Sequence, residues 1–316
     1  MSCSKGEKIK ISRSFVEFTT DVTITAYGMY ESDKEKVNEI LDSSESIMKY
    51  FNNEMSPEDK NSTLYKLNDE ASKQKVSVPG SLKKILKISH NLYNYTDRNF
   101  DIALRPVIKL WGFNYLSEPK LPNPIKLINL LKTSSFDAIS YNIDSIYFPD
   151  KNCGLDLGGI AKGYSVDSVA AFLNENGIKD YIVEAGGDLL VNSLTEKIIG
   201  IRHPRIQGAL IDTLFVKNGA VATSGDYEKF FIQDDTRYCH IIDPKTGYGV
   251  SDLMSVTIIT DKAYLSDAFA TAVFVMGKEA GKKFLIQNNI SGLLVCGTDD
   301  NKLEKIGINL EKYKKQ

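Results

Sequence analysis

Histidine is scarce in this chain. Only His90, His203 and His240 occur, which argues against a histidine-rich metal site. The four cysteines, Cys3, Cys153, Cys239 and Cys296, share no close spacing, so neither a zinc site nor a disulfide framework is indicated. No apolar run reaches the roughly 18 residues that a membrane-spanning helix needs. Excess charge is missing as well. A total of 39 Lys and Arg against 41 Asp and Glu leaves a formal net charge of −2, and the lysines are spread out, so no basic footprint for nucleic acid exists. What is present suffices for a sizeable core: 316 residues, 42% of them hydrophobic, in one large domain or two intimately joined lobes.

The first residues, Met1-Ser2-Cys3-Ser4-Lys5-Gly6, put a cysteine after a small residue and ahead of a polar run. A bacterial lipoprotein looks like this once its signal segment is cut, although the apolar part of such a segment is not in this sequence. The expectation is a flexible tether over residues 1–12 followed by one functional domain over 13–316. A lipid anchor at Cys3 would be the sole membrane attachment of an extracytoplasmic protein, with a cytoplasmic location as the alternative. Phe15 to Gly28 alternates as a half-buried strand does. Ser32-Asp33-Lys34-Glu35 opens a helix as a capping box, and Pro79-Gly80-Ser81 and Asn123-Pro124 start two more.

The centre of the chain is Gly154-Leu155-Asp156-Leu157-Gly158-Gly159-Ile160-Ala161-Lys162-Gly163-Tyr164. An apolar, strand-like approach ends in an acid, two glycines follow, and a helix runs on to Gly177. Glycines at a helix N-terminus let backbone N–H groups face an anion, with Lys162 adding charge and Asp156 accepting hydrogen bonds. A tight turn with a salt-bridged lysine explains the stretch equally well. It is not a P-loop, because Gly163 stands where Ser or Thr would bind Mg²⁺.

Other polar clusters punctuate the chain. Trp111-Gly112-Phe113 holds the single tryptophan and reads by itself as core. Gly186-Gly187-Asp188 is either a hairpin turn or a close approach of backbone to ligand. Val221 to Tyr227 carries more hydroxyls and acid than a plain turn needs. His240, near the end of an apolar strand and ahead of Pro244-Lys245-Thr246-Gly247, is either satisfied by a carbonyl or free to accept a proton. Ala263 to Gly277 is a nearly all-apolar helix. Asp267 and Thr271, four apart, share one of its faces and need partners there. A hard cation would pair both, and a capping network at the helix start is the alternative.

In this order, the central stretch, Ser224-Gly225-Asp226-Tyr227, His240-Ile241-Ile242-Asp243-Pro244 and Asp267-Ala268-Phe269-Ala270-Thr271 together resemble the ApbE family of FAD:protein FMN transferases, from about Phe15 to Leu294. The resemblance implies an α+β fold with mixed or antiparallel sheets and packed helices, its two lobes enclosing a cofactor cleft. It also implies transfer of FMN from FAD to a threonine of a flavin-accepting redox protein, with Mg²⁺ and release of AMP. FAD contacts are implied at Phe18, Trp111, Gly112, Phe113, Asp156, Gly158, Lys162, Ser224, Gly225, Asp226, His240 and Ile241. Metal ligands are implied at Asp267, Thr271 and a main-chain oxygen near Gly159 or Ala270. His240 becomes the candidate base, oriented by Asp243, and Lys162 stabilises developing charge. Ile102 and Arg105 depart from the family pattern, and Arg105 is expected either to crowd the cofactor or to bind a phosphate. An Mg²⁺-dependent FAD pyrophosphatase and a non-catalytic FAD-binding lipoprotein are the competing readings.

Overall fold

The alternating residues at the start of the chain fold into a hairpin. In the computed structural model, which describes residues 7–114, 117–297 and 302–315, β1 (Lys8–Glu17) pairs antiparallel with β2 (Thr20–Tyr30). Between them Phe18 and Thr19 both have positive φ, 52° and 59°, as in the type I′ turns that Asn-Gly and Gly-Gly usually supply. No such residue marks this turn, which is why Phe15–Gly28 reads as one strand. The expected tether over 1–12 is corrected too. From Lys8 the chain lies in β1, where Ile11 is buried while Lys8, Lys10 and Ser12 are exposed at the edge of the sheet. Charges that protect an edge strand look like a solvated leader in sequence. Cys3, and with it the expected lipid anchor, lies outside the described residues.

α1 (Lys34–Met55) buries Val37, Ile40, Leu41, Ser44 and Met48 at helical spacing. A mostly helical region follows, with α2 (Thr63–Ala71), β3 (Val76–Ser77), α3 (Gly80–Tyr95), α4 (Arg105–Trp111), α5 (Pro124–Leu131), β4 (Ser140–Asn142) and β5 (Ser145–Tyr147). Ser62 and Asn123 cap α2 and α5 by accepting the Tyr65 and Lys126 N–H groups. Then come α6 (Ala161–Glu175), β6 (Tyr181–Ala185), β7 (Asp188–Arg202), β8 (Leu210–Gly225), β9 (Phe230–Gln233) and β10 (Thr236–Cys239). β11 (Ser255–Thr260), α7 (Ala263–Gln287), β12 (Ser291–Gly297) and β13 (Leu303–Ile308) complete the order.

Eight strands make the main sheet, in the order β1-β2-β6-β7-β8-β11-β12-β13, and every neighbouring pair is antiparallel. β9 and β10 form a hairpin of their own. One apolar cluster joins α1 and α6 to β1, β2 and β6, and a second joins α7 to the helical region. A third, with Leu214, Val216, Leu293 and Val295, carries Leu310 against the sheet. This is the expected α+β architecture. α7 is buried almost all round until Gly277, where φ is 76° and the helix breaks. The Lys278 N–H then donates to Asp252 Oδ2 at 2.9 Å and starts a second helical stretch. Among the described residues no helix is long and apolar enough to cross a membrane.

Candidate active site

The double glycine ahead of α6 is shaped by Asp156, whose Oδ1 accepts the Gly158 N–H at 2.7 Å. Gly159 faces α7: a Cβ there would lie 3.2 Å from Thr271 Oγ1 and 3.3 Å from the Phe100 ring. One turn on, a Cβ at Gly163 would collide with the Ala263 carbonyl, so this glycine lets α6 and α7 meet backbone to backbone. Close approach has a consequence for charge. Asp267 of α7 reaches α6, where its Oδ2 accepts the Gly163 N–H at 3.1 Å, one of the first-turn donors that the helix itself leaves unpaired. The capping alternative is thus met, but on the neighbouring helix, and it uses only one of the two oxygens.

Asp267 Oδ1 faces the ammonium of Lys162 at 3.9 Å, and Lys162 lies closer, at 2.8 Å, to Asp188 Oδ2. Burial alone would lower the Lys162 pKa, but Asp188 and Asp267 more than reverse this and hold the ammonium charged. Burial, reinforced by Asp267, pushes the Asp188 carboxyl well up against the pull of Lys162. Two buried carboxyl groups therefore share one cation. Ser224 Oγ stands 3.4 Å from Thr271 Oγ1 beside them. A hard divalent ion, which takes oxygen ligands, fits the Asp267–Thr271 pair and the backbone at Gly159. Among the described residues no three His, Cys, Asp or Glu side chains converge as a metal cage. Such an ion would draw the rest of its shell from substrate and water, as Mg²⁺ commonly does.

His240 follows β10. Its Nδ1 sits 3.2 Å from the Lys229 carbonyl, which also accepts the His240 backbone N–H at 3.0 Å. A carbonyl only accepts, so the neutral ring carries its proton on Nδ1 and presents a lone pair on Nε2. Burial, with help from the Lys229 charge, brings the His240 pKa down to about 4. The ring is held neutral, as a proton acceptor must be.

A cavity of about 1020 Å³ brings together Phe18, Phe113, Asp156, Gly158, Gly159, Lys162, Ser224, His240, Ile241, Asp267 and Thr271 from the sequence-derived set. That volume suits a dinucleotide. Six others lie elsewhere. Trp111 is fully buried and donates its Nε1–H to the Gly247 carbonyl at 2.8 Å, the core role its local sequence suggests. Gly112 takes the left-handed conformation that ends α4. Gly225 packs under the Tyr227 ring, Asp226 is clamped by both terminal nitrogens of Arg205 at 2.6 Å, and Ala270 is buried within α7. Asp243 does not orient His240. Its oxygens accept the Lys245 N–H at 2.8 Å and the Thr246 hydroxyl at 3.0 Å, closing the Pro244–Gly247 turn.

Arg105 neither crowds the cavity nor reaches into it. Its guanidinium donates to the Pro57 carbonyl at 2.6 Å and lies 3.5 Å from Glu58, steadying a loop that does line the cavity. Sequence reasoning missed the lining residues Thr20, Asp21, Asn52, Ser56–Asp59, Glu184, Arg202, Glu228 and Lys229. Gly186 and Gly187, flagged only as a turn or a close approach, are both: φ is 59° and 91°, and both line the cavity. Asp188, directly after them, was available in the sequence as the counter-charge for Lys162.

A profile of the ApbE family matches residues 18–294, and the chain belongs to that family. It is 31% identical over 268 residues to the FAD:protein FMN transferase of Vibrio cholerae, spanning 80% of this chain and 78% of the relative. With the FAD:protein FMN transferase of Haemophilus influenzae it shares 28% over 318 residues, 96% of this chain and 91% of the relative. The crystal structure of an ApbE protein from Thermotoga maritima superposes with a TM-score of 0.83 at 28% identity, covering 95% and 97% of the two chains. The flavin transferase ApbE of Vibrio cholerae superposes with a TM-score of 0.85 at 26% identity, covering 97% and 100%.

Proposed function

We propose that this chain is an FAD:protein FMN transferase that uses Mg²⁺, hands FMN to a threonine hydroxyl of a partner flavoprotein and releases AMP. The observation that carries this reading is the sharing of one cavity by the oxygen corner, Asp267, Thr271 and Ser224, the glycine turn at Gly158–Gly159, and the neutral His240. The attacking threonine oxygen forms a bond to the FMN phosphorus, and the P–O bond to AMP breaks with its electron pair leaving on AMP. The hydroxyl proton passes to His240 Nε2, which adds roughly 10²–10⁴-fold when the geometry is right. Asp267, Thr271 and the backbone beside Gly159 would hold Mg²⁺, and the ion supplies Lewis-acid stabilisation of the phosphoryl oxygens. Lys162, in the first turn of α6, adds positive potential at the cavity. Cys153, Cys239 and Cys296 are all buried, and none lines the cavity, which favours direct transfer over a cysteinyl intermediate.

The test is to incubate the chain with FAD, Mg²⁺ and an acceptor domain and to follow all species by mass. FMN on the acceptor with equimolar AMP is expected. Free FMN plus AMP, with the acceptor unchanged, identifies a pyrophosphatase, and intact FAD identifies a binding protein; either result overturns the proposal.

A further inference from the structure

The ammonium of Lys162 has two carboxylates to choose from, and the choice is unequal: 2.8 Å to Asp188 and 3.9 Å to Asp267. Asp188 opens β7 just after the Gly186–Gly187 turn, is 2% exposed and does not line the cavity, whereas Lys162 and Asp267 do. No aligned hydrogen-bond donor reaches its Oδ2, so the Lys162 charge is what engages that oxygen. Asp267 is engaged differently. Its Oδ2 belongs to the Gly163 N–H, which leaves Oδ1 as the oxygen that a cation in the cavity can use. A lysine hydrogen-bonded to Oδ1 would fill that position and repel the incoming ion, and both effects grow steeply at short range in a poorly solvated site. Glu228, the other acid beside Lys162, already has Arg202 at 3.2 Å.

We propose that Asp188 is a positioning residue that draws Lys162 away from Asp267 and so keeps one oxygen of Asp267 open to the divalent cation. It acts through Lys162, without touching the ion. This inference rests on the reading of Asp267 as a metal ligand given above.

The experiment titrates Mn²⁺ alone into the full chain and follows the free ion by electron paramagnetic resonance, with thermal melts on the same samples. Asp188→Asn removes the charge and keeps the shape, and is expected to weaken Mn²⁺ binding by about 10-fold or more, the usual range for a group that supports a ligand from behind. In the double variant Asp188→Asn/Lys162→Met the competing ammonium is gone, and binding is expected to recover to the wild-type value or better. Recovery on deleting a second charge is something a merely structural role for Asp188 cannot produce. Unchanged binding in Asp188→Asn overturns the inference, and so does a loss that the double variant fails to reverse, which would make Asp188 a ligand or a fold determinant. Lys162→Met alone covers the case in which Asp188→Asn does not fold: it should bind Mn²⁺ more tightly than wild type, and weaker binding overturns the inference. Asp267→Ala separates this question from the underlying reading. If that variant binds Mn²⁺ as wild type does, the metal assignment fails and takes the role of Asp188 with it.

Discussion

Two parts of the same cavity lining treat buried charge in opposite ways. At the corner of α6, β7 and α7, Lys162 keeps its charge because Asp188 and Asp267 outweigh its desolvation. On the other lining segments, His240 and Asp101 meet comparable burial with weaker partners. His240 has a carbonyl oxygen and the repulsion of Lys229, and its pKa falls to about 4. Asp101 has the Ala103 N–H at 2.8 Å and the Phe136 N–H at 3.1 Å, and its pKa rises to about 6. Dipoles do not offset the loss of hydration at His240 and Asp101, whereas two opposite charges do so at Lys162; the single ammonium does not do so at Asp188. The corner thereby keeps a full positive charge, while the His240 ring is held neutral.

The sharpest way to break this contrast is Asp267→Ala. It removes the proposed metal ligand and is expected to lower FMN transfer by about 10³–10⁴-fold, the loss of several kcal/mol of charge stabilisation. Near-normal transfer at limiting Mg²⁺ would sink the metal assignment. His240→Ala should retain FAD binding, measured by quenching of flavin fluorescence, and slow transfer by about 10²–10³-fold. In the wild type, kcat/KM should hold down to acidic pH and fall through about pH 4 if His240 is the base, instead of near its ordinary 6.5. A limb near 6.5 would show that another group takes the proton. The sign for folding agrees. A depressed histidine pKa means the unfolded chain is protonated first, so its contribution is present above about pH 6.5 and is lost as pH falls towards 4.

Gly163→Ala tests whether the corner depends on backbone contact. The added Cβ collides with Ala263, and a loss of about 2–3 kcal/mol in denaturant unfolding is expected, with weaker Mn²⁺ binding. The smallest effect is at Asp101. Its raised pKa favours the folded state below about pH 4, and this advantage is lost as pH rises through about 6. Relative to Asp101→Asn, the wild type should therefore lose about 1–2 kcal/mol between those values, allowing for partial exposure. A pH-independent difference between the two would remove Asp101 from the comparison.

Two adjacent turns show what was legible in the sequence. Gly186-Gly187 and Phe18-Thr19 both adopt positive φ at both central residues, and the Gly186 N–H is bonded to the Asp21 carbonyl at 3.0 Å. One announces itself because glycine pays nothing for that conformation; the other is held there by the strands around it and has no local mark. The Asp267–Thr271 spacing was readable for a similar reason, since polar groups on an apolar helix demand partners wherever the fold puts them. Asp243 misled because proximity to His240 in sequence says nothing about direction, and its own turn used both oxygens. Lining residues such as Glu184, Arg202 and Glu228 depend on how β6, β7 and the end of β8 converge, and no local pattern encodes that.

The break at Gly277 insulates the buried stretch of α7 from the outer one. Because the Asp252 carboxylate, and not the preceding turn, receives the Lys278 N–H, the outer stretch has its own anchor and its own starting point. Fraying that begins at Asn288 can run back along the helix only as far as that anchor. Asp267 and Thr271 are in this respect residents of a short, largely buried rod, with the solvent-facing remainder attached to it but not in command of it.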